Sequence, residues 1–165
     1  MILVAVVVVP LLDLMIVPVR WMLAQELAND YARRLAMCET FRQSYALMDA
    51  DPSLAARLQQ LGGVKAESIS LRLRISRIGA ASEEAVVVDQ PGKIPQEWLP
   101  NGSKAPCEYF LELDIKSLLS PAILVSIPGT TVPGLTTPIP VVIRASHEWA
   151  NLSMNPNTQM FYINE

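Results

Sequence analysis

The chain has 165 residues and a formal net charge of −3, which fits one compact domain plus an extra element. Scattered Lys and Arg in an acidic chain, with only 6% aromatic residues, give neither the electrostatic footprint nor the stacking platform of a nucleic-acid binder. Two cysteines far apart, Cys38 and Cys107, and a single histidine speak against a zinc site.

Residues 1–19, MILVAVVVVPLLDLMIVPV, carry one charge, Asp13. With Trp21, Met22 and Leu23 they approach the roughly 20 apolar residues that a hydrocarbon-spanning helix needs. A cleaved signal peptide fits poorly, because no Lys or Arg precedes Arg20 and no A-x-A step follows the run. A central strand is opposed by Pro10, Pro18 and Asp13. The segment therefore predicts a retained membrane helix in which Pro10 and Pro18 kink the helix or break its ladder locally. Arg20 is expected to snorkel beside Trp21 at the interface. Asp13 would then lie in lipid, protonated or paired, and points to a partner's membrane helix or an N-terminal amine. The alternative is a neutral acid tolerated near one end of a short span. The charges that follow have both signs and leave the orientation unfixed.

From Arg20 to about Asp49, Ala24, Leu27, Tyr31, Leu35, Cys38, Phe41, Tyr45 and Met48 form one apolar stripe at helical spacing. No Gly or Pro interrupts residues 19–50. One continuous helix is therefore expected, about 48 residues and roughly 70 Å long. It would place Cys38 against a globular head, where Cys107 could meet it. The pair reads either as two buried thiols or as one disulfide in an oxidising compartment. Asp51-Pro52-Ser53 then restarts a short helix over Leu54, Ala55, Leu58 and Leu61, stopped by Gly62-Gly63.

Strands follow. Ile69, Leu71, Leu73 and Ile75 alternate with Ser70, Arg72, Arg74 and Ser76, which predicts a half-buried antiparallel strand over Ser68–Ile78. Ala85–Asp89 is a second strand, and Cys107–Ile115 a third. Residues 121–127 read as a fourth short strand or a connection, and Val141–Trp149 as the last strand. Residues 91–106 and 128–140, rich in Pro and Gly, read as long surface loops. The tail from Asn151 is polar and expected to be loosely held.

His147 and Glu148 are strand neighbours pointing to opposite faces and cannot form a dyad. No nucleotide, metal or nucleophile motif is present, and Asn151-Leu152-Ser153 is only a short glycosylation sequon. The chain is read as a non-enzyme without catalytic, cofactor or metal residues.

Val8–Met37, VVPLLDLMIVPVRWMLAQELANDYARRLAM, resembles the N-terminal segment of TadE/TadG-type pilus-assembly proteins. Pro10-Leu11-Leu12, Ala24-Gln25, Ala32-Arg33 and Ala36 stand where that family has corresponding residues. Leu118-Leu119 ahead of Pro121, and Gly134–Leu152, resemble its closing part. The family's usual acidic residue before the apolar run is missing, and Asp13 and Pro18 stand where apolar residues or Gly are common. The resemblance implies a minor pilin or pseudopilin of a tight-adherence or related type IV system. Its fold would be α+β and pilin-like, with a long N-terminal helix packed on a small antiparallel sheet. Residues 1–22 would be the membrane part, 23–50 the amphipathic continuation and 51–165 a β-rich head outside the cytoplasm. Such a subunit is single-pass in the cell membrane and partners other pilin subunits through its helix; it takes no cofactor. Pro10, Asp13, Pro18, Arg20 and Trp21 would be its assembly residues. Two other classes compete. One is a membrane-anchored ligand-binding module using the loops at 91–106 and 128–140. The other is a small soluble enzyme with residues 1–19 as a buried strand.

Overall fold

The computed structural model describes residues 2–78, 85–92, 94–102, 106–123, 131–133 and 136–165; the side chains of residues 2–7, 9, 10, 13 and 14 lie outside that description. The described chain is α+β. Its helices are α1 (Ile2–Ala36), α2 (Phe41–Ala50) and α3 (Ser53–Gln60), and its strands are β1 (Val64–Arg77), β2 (Ala85–Val88), β3 (Cys107–Leu119) and β4 (Ile139–Glu148). The strands form one sheet in the order β2-β1-β3-β4. β1 and β2 run antiparallel with Leu73 opposite Val88. Apart from β2, each strand begins earlier or ends later than its alternating pattern alone indicated, but the pattern itself holds. Leu71, Leu73 and Ile75 of β1 and Tyr109, Leu111, Leu113 and Ile115 of β3 are buried, while the residues between them are not. That is the period of 2 expected when one sheet face meets the core. Pro121–Ile123 are not part of a strand, the chain bending at Ala122 and Ile123, and the rest of residues 121–127 lies outside the described residues.

The expected single helix through residue 49 is not formed. α1 ends at Ala36 and α2 starts at Phe41. The cause is local side-chain chemistry, since neither Gly nor Pro is involved. Thr40 caps α2 by accepting from the Gln43 amide, and the Gln43 Oε1 accepts from the Glu39 amide at 3.1 Å. This is a capping-box arrangement shifted by one residue. The buried Ser44 hydroxyl donates to the Leu35 carbonyl at 2.7 Å, beside the bond which that carbonyl accepts from the Cys38 amide at 3.1 Å at the end of α1. Arg33 and Arg34 lie in the last turn of α1, where cations suit the helix dipole.

The chain divides into two compact units, each assembled from three separate segments. The first comprises Met1–Ala28, Ser53–Ile69 and Asp114–Arg144. Its core includes Ala24, Ala28, Leu54, Leu58, Val64, Ile115, Leu119 and Ile143. Its exposed sheet side carries an Arg144–Asp114 contact at 3.4 Å. The turn from α3 into β1 uses Gly62 and Gly63, both at positive φ, as the Gly-Gly stop indicated.

The second unit comprises Asn29–Pro52, Ser70–Leu113 and Ala145–Glu165. It is centred on Tyr31, Leu35, Phe41, Leu73, Leu111 and Trp149, all at most 2% exposed. Phe41 meets Trp149 and Tyr45 edge-to-face at 6.3 and 5.9 Å. The tail is not loose as expected. Asn155 and Met160 close a turn through their backbones, Asn155 donates to the Glu165 carboxylate, and Ile163 is buried. A polar tail is held here because its amides find partners within the tail itself.

Candidate functional site

One face of α1 is buried through Ala24, Ala28, Tyr31, Ala32 and Leu35. On the opposite face Val8, Leu11, Leu12, Met15, Val19, Met22 and Leu23 recur every three or four residues and are all exposed, Met15 at 70% and Met22 at 64%. The same face then changes character abruptly and continues as Glu26, Asn29, Asp30, Arg33 and Arg34, also exposed. A soluble helix normally turns its polar side outward. A contiguous apolar stripe in water marks a surface that something else covers. Among the described residues no helix is long and apolar enough to cross a membrane. From Met15 onward the sequence meets Arg20, Glu26 and Asp30, while most side chains of residues 1–14 lie outside the described set.

Arg20 does not behave as the predicted interfacial cation. Its Nη1 donates to the Ser120 carbonyl at 2.6 Å, and the guanidinium lies over Gly62-Gly63. A Cβ on Gly63 would fall 2.5 Å from Nη1, so a side chain there would displace the guanidinium. Ser120 donates its own amide to the Gly63 carbonyl at 2.6 Å, which ties the α3–β1 turn to the end of β3. Five residues on, the Gln25 amide donates to the Arg144 carbonyl at 2.6 Å. Arg20 and Gln25 thus bracket Ala24, the first fully buried residue of the described α1 side chains.

The other predicted assembly residues distribute as follows. Trp21, next to Arg20 in the chain, is exposed. Pro18 is exposed within an uninterrupted helix, and α1 likewise continues through Pro10 and Asp13, whose side chains lie outside the described residues. Cys38 sits in the turn after α1 with its thiol 3.8 Å from the Arg34 carbonyl, and Cys107 opens β3; the two are not joined by a disulfide. Sequence reasoning missed Ser120 and the seat at Gly63. Gly62-Gly63 was legible as a helix stop, but nothing in the sequence links it to an arginine more than forty positions earlier.

Among its described residues, the loop after β2 turns two side chains inward. Ile94 and Trp98 are buried, Arg77 lies 4.5 Å over the Trp98 ring, and the Tyr109 hydroxyl donates to the Trp98 carbonyl. Burial, then the neighbouring Cys107, pushes the Tyr109 phenol well above its ordinary value, so it remains a donor. Parts of residues 128–140 lie outside the described residues. The Asn151 sequon is engaged structurally: its amide donates to the Glu39 carbonyl and its Oδ1 accepts from Ser153. The described residues of the second unit include open grooves. One, of about 580 Å³, lies along Thr40, Gln43, Ala46, Met160 and Glu165; another, of about 440 Å³, lies along Val86–Gln90 and Pro95. Among the described residues no group of three His, Cys, Asp or Glu could hold a metal ion. Compared with protein-family models, with curated proteins and with solved structures, the chain matches none.

Proposed function

We propose that this chain is an assembly subunit of pilin or pseudopilin type, working by apolar helix packing and display of its β-rich head. The observation that carries the reading is the outward face of α1, apolar from Val8 to Leu23 and charged from Glu26. At 1.5 Å per residue that apolar face runs roughly 22 Å, against the roughly 30 Å hydrocarbon thickness of a bilayer. A bilayer, or the helices of sister subunits within one, would supply the missing cover. The overlap of this stripe with Arg20 and Ala24, which already face the chain's own residues, favours a partner that covers one side of the helix only. A sister helix does this by inserting side chains at the same 3- and 4-residue spacing. In that setting Asp13 would pair with a neighbour's amine and set register.

The test is fractionation of the full chain from a membrane-bearing host, followed by cross-linking. The parent chain should stay in the membrane fraction after alkaline washing and cross-link to other copies or to sister subunits. The triple variant Leu11→Lys, Met15→Lys, Met22→Lys should leave that fraction with its head still folded. Asp13→Ala should stay in the membrane yet cross-link poorly. Recovery of the parent chain as a monomer without detergent would overturn the reading.

A further inference from the structure

We propose that Arg20 is a latch that fixes where α1 leaves the head, so that the helix N-terminal to it is free to pack against other molecules while the helix C-terminal to it is held. The purpose of the latch rests on the assembly reading; its existence does not. Three elements meet at the guanidinium: α1 supplies Arg20, the α3–β1 turn supplies the Gly62-Gly63 backbone, and the end of β3 supplies the Ser120 carbonyl. All three belong to the first unit. The seat suits a flat cation that donates from its edge. Gly63, at φ +73°, provides a surface without a side chain, and a Cβ there would also come within 3.2 Å of the Ser120 oxygen. A guanidinium can lie along a peptide plane and donate from its edge, whereas an ammonium offers a compact, strongly hydrated point charge. On the N-terminal side Met15 and Val19 are exposed and Ile16 and Val17 only half-buried. On the C-terminal side Ala24 and Ala28 are fully buried. Arg20 therefore stands where the cover changes.

A charge-assisted bond of this kind, part-buried and with a matched seat, is strong enough to decide between a docked and a swinging helix. The experiment is a pulsed electron-spin distance measurement on the full chain in detergent, with Cys38→Ser and Cys107→Ser. Nitroxides go on Leu12→Cys and Gln59→Cys, both exposed positions of the first unit. A second pair, Gln59→Cys with Lys116→Cys, reports on the head alone. The helix–head distribution should be narrow in the parent, widen about twofold in R20Q and in G63A, and be intermediate in R20K. The head pair should not change. Superimposable helix–head distributions in R20Q and the parent would overturn the latch, as would equal widening of the head pair. Should R20Q fail to fold, an unwidened distribution in R20K or G63A overturns it equally. Because the readout needs no partner, a failed latch leaves the assembly proposal standing, and failed membrane association leaves the latch to be judged on its own.

Discussion

Val8–Leu23 and Ala24–Ala36 are successive stretches of one helix, and they solve the same problem differently. In the second, Ala24, Ala28, Tyr31, Ala32, Leu35 and Ala36 are covered by the chain's own residues, and its polar residues face outward. In the first, the outward positions are themselves apolar and remain exposed. The contrast teaches that hydrophobic periodicity states a demand for cover without naming who supplies it. The location of the change, at Arg20 to Glu26, is where intramolecular and intermolecular packing are expected to exchange roles.

The sharpest way to break this comparison is to remove one apolar side chain from each stretch. Leu35→Ala, at a fully buried site, should lower unfolding stability by about 2–5 kcal/mol, through lost burial and the cavity left behind. Met15→Ala, at an exposed one, should stay within about 0.5 kcal/mol in detergent. Chemical denaturation followed by near-ultraviolet dichroism checks both, and equal losses would end the distinction. Next comes the point where the covered stretch stops. Thr40→Ala removes the cap of α2 and should cost about 1 kcal/mol; Ser at that position should restore it.

A smaller effect belongs to the exposed side of the sheet in the second unit. There Glu112 accepts from Arg72 at 3.0 Å and from Arg74 at 2.7 Å. Both arginine side chains are more than a third exposed. Glu112→Gln should therefore cost no more than about 1 kcal/mol, shrinking further as salt is added. The smallest concerns the tail. The Thr158 hydroxyl and then the Asn155 amide hold the Glu165 carboxyl below its ordinary 4.5. A lowered folded value means that these contacts are fully kept above pH 4.5 and are lost as the pH falls through the lowered value. Protection of the Asn155–Asn164 amides, taken relative to intrinsic exchange at each pH, should fall on acidification through that range while protection in β3 does not change.

Much of the architecture was legible because it depends on local periodicity. The alternation in β1 and β3, the Leu54–Leu58 pair of α3 and the Gly62-Gly63 stop need only neighbours a few positions away. The break after Ala36 was also written locally, in Thr40-x-x-Gln43, but an uninterrupted apolar stripe across residues 35–45 outweighed it. The order of the tail was missed because its polar residues were taken as solvated, whereas Asn155 and Glu165 satisfy one another. The seat of Arg20 was illegible for a different reason. It joins positions 20, 63 and 120, and a single sequence carries no signal for a contact of that separation. For the apolar run, composition stated its character and the exposed face of α1 agrees, while its partners belong to the experiments above.

The interleaving of the two units has a consequence for how the molecule is made. Neither can close until late segments exist, since the first needs Asp114–Arg144 and the second needs Ala145–Glu165. The segments bearing α1 leave the ribosome long before those strands do. The buried face of α1, from Ala24 to Ala36, therefore has no cover from its own chain until those segments emerge. It also follows that no single cut can separate the two units, so a shortened chain lacking the last twenty or so residues should lose the second unit as a whole rather than fray at its end.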